Sequence, residues 1–430
     1  MTGAGTLKVA PIAGPLRATV RVPGSKSLTN RVLAVAALAH GETTLRGALI
    51  ADDSLHMVDS LGRLGFRVKV DAAAEEITVQ GLGGVVPSAG ARLHAGNAGT
   101  VARFLTALVA LGKGEYLIDG VPRMRERPIA DLVEALRQLG AVVDCPTGCP
   151  PVRVVAAGLS GGRAALSGGI SSQYLSALLI AAPYARSPVE LVVDHALGSR
   201  PYVDMTLAVM AEFGVEVSHD GYHRFLVPQG RYRPRPVYRV ESDASAASYF
   251  FAAAAVVGGT VRVEGISRRS CQGDIAFLDI LAAMGCLVEA GEDWIEVTRR
   301  DDLRGVDVDL GNMPDTAQTL AALAPFAASP TVVRGIASAR LKECDRVAAT
   351  CTELARLGVR VAERPDGFTI HPASRLSPAT VRTYDDHRMA MAFSLVGLRV
   401  PGLVIENPSS VSKTFPRFFE VLDELRLARL

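Results

Sequence analysis

Apolar residues at helical spacing alternate along the chain with short stretches in which every second residue is apolar. One pattern recurs: a helical run ends in Leu-x-x-Leu-Gly and leads into alternating apolar residues, as at 61–68, 136–142 and 354–361. Looser copies end at Gly214 and Gly285, and the five closing glycines lie 71 to 75 residues apart. Each glycine is expected at the C′ position of a helix, where the backbone is left-handed, with a strand following it.

A second type of helix is predicted between these copies. Each one begins with a small or polar residue that suits an N-cap and continues as a run rich in Ala and Leu. The run 252–257 is apolar on all sides, which is typical of a helix buried inside a layer. The six predicted N-cap residues are Ser25, Asn97, Ser171, Asp243, Asp315 and Asp385.

Together the two patterns give six units of helix, strand, helix and strands, which divide into two lobes of three. The Pro- and Arg-rich stretch 228–236 cannot continue a helix or a central strand, so it is the predicted boundary. A full sixth unit would run past residue 430, and we expect residues 7–22 to supply its final strands. The predicted lobes are 1–22 plus 240–430, and 23–239. Two unrelated α/β domains are the alternative.

Charge restricts the classes of partner. The 46 Lys and Arg nearly balance the 44 Asp and Glu, so a net charge of +2 gives no general attraction to nucleic acid or an anionic membrane. Only six residues are lysine, and three of them, Lys26, Lys342 and Lys413, lie in compact polar stretches. Six cysteines are too few for a disulfide scaffold, and neither a signal-peptide pattern nor an apolar run of ~20 residues is evident. A cytoplasmic protein without a membrane span is therefore expected.

The candidate chemistry lies at the predicted helix starts. If these N-termini face the space between the lobes, their free N–H groups form a cleft that binds anions. Lys26, Ser27 and Arg31 stand at one start, three arginines at 123–127 precede another, and Ser171, Ser172 and Gln173 offer hydroxyls and an amide at a third. Substrates with phosphate or carboxylate groups are expected. Simple capping and a solvated Arg-rich turn are the alternatives.

Other chemistries find less support. The charged stretch 340–346 also fits a surface helix held by ion pairs, and His387 fits either a catalytic acid or an orienting group. The sequence has no Gly-x-x-x-x-Gly-Lys-Ser/Thr phosphate loop, so a nucleoside triphosphatase is disfavoured. It has no Gly-x-Ser-x-Gly elbow and no Gly-x-Gly-x-x-Gly turn that leads from a predicted strand into a predicted helix, so neither a hydrolase triad nor a nicotinamide cofactor is supported. Cys145 and Cys149 have no second pair at matching spacing, so a zinc site is not expected. No other metal and no cofactor is expected either.

Seven ordered motifs resemble the 5-enolpyruvylshikimate-3-phosphate synthase family of enolpyruvyl transferases. They are PGSKS at 23–27, GNAGT at 96–100, PRMRERP at 122–128, SSQ at 171–173, LKECDR at 341–346, DHRMAM at 386–391 and SKTFP at 412–416. The resemblance implies a two-lobed inverse α/β barrel with three βαβαββ repeats in each lobe and an active site in the cleft between them. It also implies transfer of the enolpyruvyl group of phosphoenolpyruvate to the 5-hydroxyl of shikimate 3-phosphate, with release of phosphate, in aromatic amino acid biosynthesis.

The resemblance assigns residue roles motif by motif. It implies that phosphoenolpyruvate is held by Lys26, Gly99, Arg127, Gln173, Arg346, Arg388 and Lys413. It implies that shikimate 3-phosphate is held by Ser27, Arg31, Ser171, Ser172, Ser199 and Lys342, and Asn97 and His387 complete the binding set. Asp315 is the candidate base for the reacting hydroxyl, Glu343 the candidate acid, and Lys26 the third catalytic candidate.

Two departures from the family pattern affect these expectations. Ser338 stands where many members have Asn, and Phe104 stands where others often have Pro. Gly99 leaves room for glyphosate, the family's inhibitor, so sensitivity to glyphosate is expected. A monomer is also expected.

The main rival function is that of the related transferase that acts on UDP-N-acetylglucosamine, but the loop cysteine of that family has no counterpart in 120–126. A nucleic-acid or phosphopeptide binding surface is the non-enzymatic alternative, which near-neutral charge disfavours.

Overall fold

The computed structural model describes residues 5–167, 169, 171–195 and 197–427. The chain folds into two compact units, Met1–Pro23 with Glu241–Leu430, and Gly24–Val240. We call the first the discontinuous unit and the second the continuous unit. The continuous unit ends at Val240, a few residues beyond the Pro- and Arg-rich stretch 228–236, and each unit has its own apolar core. Within the described ranges, no helix is both long enough and apolar enough to cross a bilayer.

The described residues contain short strands throughout. They are β1 Thr6–Lys8, β2 Leu16–Arg21, β3 His40–Arg46, β4 Arg67–Asp71, β5 Glu76–Leu82, β6 Gly90–His94, β7 Lys113–Asp119, β8 Val142–Asp144, β9 Val152–Ala157, β10 Gly162–Leu166, β11 Val189–Val193, β12 Ser218–Asp220, β13 Arg224–Val227, β14 Val237–Arg239, β15 Gly259–Glu264, β16 Leu287–Ala290, β17 Trp294–Arg299, β18 Asp307–Asp309, β19 Thr331–Arg334, β20 Val361–Arg364, β21 Gly367–Ile370, β22 Thr380–Val381 and β23 Val404–Glu406.

Helices alternate with these strands. They are α1 Lys26–Leu38, α2 Asp52–Arg63, α3 Gly99–Val109, α4 Ala130–Gln138, α5 Ser172–Ala181, α6 Arg200–Glu212, α7 Ala244–Val257, α8 Phe277–Ala283, α9 Ala317–Leu323, α10 Arg346–Arg356, α11 His387–Gly397 and α12 Phe418–Leu427. Short 3₁₀ turns at Pro122–Glu126, Gly273–Ala276, Pro314–Thr316, Ala337–Leu341 and Pro408–Lys413 carry several of the polar stretches.

In the described residues each unit contains three small sheets, and five of the six follow one four-stranded plan. In β6-β7-β9-β8, for example, β6 and β7 are parallel, and β9 is antiparallel to both β7 and β8. The same arrangement recurs in β14-β3-β5-β4 and β10-β11-β13-β12, and in β2-β15-β17-β16 and β18-β19-β21-β20 of the other unit. The third sheet of the discontinuous unit is β1-β23-β22. This is a βαβαββ repeat, in agreement with the six units predicted from the sequence.

The N-terminal strands serve two different sheets, which corrects one expectation. β1 pairs antiparallel with β23 and so extends the last sheet. β2 instead pairs in parallel with β15, from Leu16 opposite Gly259 to Arg21 opposite Glu264. Residues 7–22 therefore do not all complete the sixth repeat, because β2 is the first strand of the fourth. β14 has the corresponding place beside β3 in the continuous unit.

The recurrent glycines end helices as predicted. Gly65, Gly140, Gly214, Gly285 and Gly358 all have positive φ, between 83° and 104°. After each, the next backbone N–H donates to a carbonyl five residues earlier, as from Phe66 to Leu61 at 3.0 Å. This Schellman bond satisfies a carbonyl that the helix end leaves open. The residue that donates the bond and the residue that accepts it are apolar, and their contact fixes the direction in which the chain leaves the helix.

Helices of the second type are buried, as their composition predicts. In α7 every residue except Ser245 and Val257 is buried. α1, α3 and α5 pack together in the continuous unit, and α7, α9 and α11 do so in the discontinuous unit. Three predicted N-caps are confirmed: the side chains of Ser25, Ser171 and Asp243 accept backbone N–H groups of α1, α5 and α7.

The other three predicted caps are wrong. α3 is capped by Ala98, α9 by Thr316 and α11 by Asp386. Asp385, with φ of 54°, accepts a hydrogen bond from Asn407 instead. Asn97 and Asp315 both accept hydrogen bonds from arginine side chains. These two polar residues at helix starts therefore position cations.

Candidate active site

In the continuous unit, the start of α1 presents Lys26 and Ser27. The Ser25 side chain accepts the backbone N–H of Leu28 at 3.4 Å, so the helix begins where the motif predicts. Lys26 Nζ lies 3.4 Å from a carboxylate oxygen of Asp53, whose side chain is buried at the start of α2. A buried partner restricts the long lysine side chain and keeps its charge at the helix N-terminus.

Gly99, Arg127 and Gln173 converge at the start of α3. A methyl group added at Gly99 would lie 2.6 Å from Arg127 Nη2 and 3.0 Å from Gln173 Oε1. Arg127 Nη1 donates to the backbone and side-chain oxygens of Asn97 at 2.7 and 3.1 Å. The three motifs that supply these residues are separated in sequence, and the fold brings them together around a position that only glycine can occupy without displacing them.

A second buried cation lies beside Arg127. Arg103 donates to the Pro128 carbonyl at 2.6 Å and to the Gly99 carbonyl at 3.4 Å. Burial, and then the charge of Arg127, lowers the pKa of Arg103 to about 10. Two neighbouring guanidinium groups raise the local positive potential, which favours an anion there.

The predicted hydroxyl groups lie at two more helix starts. Ser171 caps α5 by accepting the Gln173 N–H at 3.3 Å, and Ser172 is its first residue. Ser199 precedes α6 with a left-handed φ of 55°. Both helices thus begin with serines, as expected of a site for a tetrahedral oxyanion.

Arg31 is fully buried on α1. Its guanidinium donates to the hydroxyl of Thr206 at 2.7 Å, to the carbonyl of Ser27 at 2.9 Å and to the carbonyl of Tyr202 at 2.9 Å. The predicted shared face of Ser27 and Arg31 is confirmed. In this conformation a ligand could reach the guanidinium only after its surroundings moved, so the direct contact with substrate stays a prediction.

In the discontinuous unit, Arg346 is the centre of an ion-pair network. It is the first residue of α10 and is 2% exposed. Its guanidinium donates to Asp386 at 2.7 Å, to Asp315 at 2.9 Å and to Glu343 at 2.9 Å. Burial opposes the charge of Arg346, but the three carboxylates outweigh burial and raise its pKa. The candidate base and the candidate acid therefore share one cation.

Two further cations contact the same carboxylates. Arg388, on the first turn of α11, donates to Asp315 at 2.7 Å and to the hydroxyl of Tyr249 at 3.3 Å. Lys413 Nζ lies 3.7 Å from the other oxygen of Glu343. Three cations and three carboxylates thus form one continuous network. It joins Arg346 to the two candidate proton-transfer groups and to two more cations that are predicted to hold phosphoenolpyruvate.

Two further predicted residues of this unit, His387 and Lys342, adjoin network residues in the sequence. His387 is fully buried, with Nδ1 3.6 Å from Asp386 Oδ1. Lys342 ends the 3₁₀ turn Ala337–Leu341, which contains the half-buried Ser338. Since α10 begins only at Arg346, residues 340–346 are not the surface helix that was the alternative explanation.

Sequence reasoning assigned no role to two carboxylates. Asp53 pairs with Lys26, and Asp386 caps α11 while also binding Arg346. The signal for Asp386 was its position in the motif at 386–391, but the cap was expected one residue earlier. No local pattern marks Asp53, because its partner lies in another helix.

Solved structures place this fold in a known class. An EPSP synthase structure from Acinetobacter baumannii matches with a TM-score of 0.81 and 25% identity, and the match covers 98% of each chain. With two units of βαβαββ repeats, the protein has the enolpyruvyl transferase fold.

The sequence comparisons then identify the family. The family model described as EPSP synthase (3-phosphoshikimate 1-carboxyvinyltransferase) matches residues 11–422. A 3-phosphoshikimate 1-carboxyvinyltransferase from Nostoc punctiforme is 47% identical over 97% of this chain and 100% of its own length. A chloroplastic one from Brassica napus is 48% identical over 94% of this chain and 82% of its own length. The chain belongs to the EPSP synthase family, so it is an enzyme of the 3-phosphoshikimate 1-carboxyvinyltransferase type, and the UDP-N-acetylglucosamine alternative is not favoured.

Proposed function

We propose that the residues of the two units act together on phosphoenolpyruvate and shikimate 3-phosphate. The observation that carries the catalytic part of this proposal is the network around Arg346 in the discontinuous unit, in which both candidate proton-transfer groups, Asp315 and Glu343, are joined to three cations. Cations of this kind stabilise a departing phosphate, and two carboxyl groups can serve as the base and the acid of the reaction.

In the proposed reaction, Asp315 accepts the proton of the 5-hydroxyl of shikimate 3-phosphate as that oxygen bonds to C2 of phosphoenolpyruvate. Glu343 donates a proton to C3, which becomes a methyl group, and a tetrahedral adduct results. In the second step the Glu343 carboxylate takes a proton from the methyl group, and phosphate departs with the electrons of the C–O bond. The proton held by Asp315 passes to the departing phosphate. Five cations stabilise the phosphate and carboxylate charges in both steps: Lys26, Arg127, Arg346, Arg388 and Lys413.

The network supports a route by which Glu343 would act as the acid. The donors of Arg346 are bonded to carboxylates, so a substrate phosphate that binds Arg346 takes the place of at least one carboxylate. A Glu343 side chain that loses this cation also loses the interaction that stabilises its negative charge, which favours its protonated form. Substrate binding would thus prepare the acid.

The shikimate 3-phosphate side of the proposal rests on the continuous unit. Ser27, Ser171, Ser172 and Ser199 lie at three helix starts, where hydroxyl and backbone N–H groups can accommodate a phosphate. Lys342 and His387 would contribute from the discontinuous unit. For Arg31 and His387 the proposal requires that their buried surroundings rearrange.

A cytoplasmic, monomeric enzyme that glyphosate inhibits is also part of the proposal. The absence of a side chain at Gly99, between Arg127 and Gln173, supports a small anionic inhibitor at that position. Glyphosate should compete with phosphoenolpyruvate, and inhibition that does not respond to the phosphoenolpyruvate concentration would contradict this placement. Light scattering during size-exclusion chromatography tests the monomer.

Phosphate release tests the proposed function as a whole. The purified protein is incubated with phosphoenolpyruvate and either shikimate 3-phosphate or UDP-N-acetylglucosamine, and inorganic phosphate is measured. We expect release only with shikimate 3-phosphate. Release with the nucleotide sugar alone would reverse the choice of acceptor, and steep, salt-sensitive RNA binding without any phosphate release would support the non-enzymatic alternative.

A further inference from the structure

Asp274 is a buried carboxylate near Arg388 that has no role in the proposed reaction. Asp274 belongs to the 3₁₀ turn Gly273–Ala276 and is 4% exposed. The Ser245 hydroxyl donates a hydrogen bond to Asp274 Oδ2. The same hydroxyl oxygen lies 3.4 Å from Arg388 Nη2. Three residues from three separate segments of the discontinuous unit therefore form a continuous chain of hydrogen bonds.

The direction of these hydrogen bonds determines what Ser245 can do. A serine hydroxyl has one proton, and its direction toward Asp274 leaves the oxygen lone pairs available to Arg388. Arg388 Nη2 also donates to Asp315 at 2.7 Å, and Nη1 donates to Tyr249 at 3.3 Å. The guanidinium is thus held from several sides, and on one of them the Ser245 hydroxyl that faces it donates its proton to Asp274.

Asp274 is an unusual group to bury for a purely structural purpose. Among the described residues, its Oδ1 atom has no hydrogen-bond partner, although it is buried. Burial, and then the Asp315 carboxylate, raises the pKa of Asp274 to about 6. Asp243 acts in the same direction, whereas Arg388 and the Ser245 hydroxyl oppose it. An unsatisfied buried carboxyl oxygen destabilises the fold, so keeping one there indicates a requirement other than stability.

We propose that Asp274 is a positioning residue that acts through Ser245 to fix the direction of the Arg388 guanidinium for phosphoenolpyruvate binding. The inference rests on the proposed binding role of Arg388. Loss of this alignment should weaken the binding of phosphoenolpyruvate selectively, since shikimate 3-phosphate is assigned to other residues.

Steady-state kinetics of Asp274→Ala, Asp274→Asn and Ser245→Ala test the proposal. We expect Asp274→Ala and Ser245→Ala each to raise KM for phosphoenolpyruvate about fivefold to tenfold, the size of one hydrogen bond, without changing KM for shikimate 3-phosphate. Asp274→Asn keeps an oxygen that can accept the Ser245 proton, so it should recover most of the affinity. Ser245→Ala leaves little empty space and keeps the test valid if Asp274→Ala does not fold.

A double variant tests the chain of hydrogen bonds directly. If Asp274 acts through Ser245, Asp274→Ala combined with Ser245→Ala should raise KM no further than either change alone, whereas additive effects would overturn the proposal. Asp279→Ala removes an exposed carboxylate from the nearby α8 and is the matched control. Equal increases in both KM values, or a fall in kcat alone, would also overturn it.

Arg388→Lys separates this inference from the proposed function. An unchanged KM for phosphoenolpyruvate in Arg388→Lys would refute the binding role of Arg388 and the inference with it. A raised KM in Arg388→Lys together with an unchanged KM in Asp274→Ala would leave the proposed function intact and refute the inference alone.

Discussion

Replacing Glu343 with Gln tests the assignment of the acid. The change keeps the size of the side chain and removes the group that would protonate C3 of phosphoenolpyruvate. General acid catalysis typically contributes about 10²–10⁴-fold. We therefore expect kcat to fall by that factor, which corresponds to about 3–5 kcal/mol in the activation barrier.

Substrate binding should respond in the opposite direction. The network contains three cations, Arg346, Arg388 and Lys413, and three carboxylates, Asp315, Glu343 and Asp386. Glu343→Gln removes one negative charge and leaves an excess of positive charge. Because phosphoenolpyruvate is an anion, its KM should stay constant or fall while kcat collapses.

The assay is steady-state phosphate release, together with a thermal melt of each variant. Glu353→Gln is the matched control: Glu353 is also buried, but it is bonded to Arg356 and Tyr384 outside the network. If Glu343→Gln kept kcat within tenfold of the unmodified enzyme, Glu343 would not be the acid. A rise in KM as large as the fall in kcat would instead indicate a role in binding.

Three further predictions follow from the geometry. Gly99→Ala should raise KM for phosphoenolpyruvate at least tenfold, since the methyl group would displace Arg127, whereas Gly62→Ala, in open space on α2, should leave the kinetics unchanged; equal kinetics for the two variants would contradict the tight contact. Lys26→Ala should lower kcat and raise both KM values, and an unaffected enzyme would remove Lys26 from the site. Asp274→Asn should stabilise the protein by up to about 3 kcal/mol at pH 7 but not at pH 4. The pKa of Asp274 is raised to about 6 in the folded protein, so this carboxyl group lowers the free energy of unfolding as pH rises from the ordinary carboxyl pKa toward 6, and Asn removes that loss. Urea unfolding at both pH values measures the effect, and a gain at pH 4 only would contradict the sign of the argument.

Features set by local physics could be predicted from the sequence. The closing glycines have positive φ and Schellman bonds because a residue without a Cβ is favoured at C′, and this requirement is visible at each copy, such as Gly65 and Gly358. The same locality explains the caps at Ser25, Ser171 and Asp243.

Features set by tertiary packing could not be predicted in the same way. Asp315 looks like an N-cap in sequence, but two buried arginines from α10 and α11 bind its carboxylate instead. Asp53 and Asp274 carry no local signal, because their partners lie in other helices. The place of β2 could not be inferred from counting repeats, since either N-terminal strand would fit an incomplete sheet.

The most direct test of the central claim is an analysis of the reaction product by NMR after turnover in D₂O. Addition of a solvent proton to C3 followed by loss of a proton from the methyl group should give a vinyl ether of shikimate 3-phosphate with deuterium in its methylene group, together with inorganic phosphate. A vinyl ether without deuterium would contradict the addition–elimination route, and the absence of any vinyl ether would contradict enolpyruvyl transfer itself.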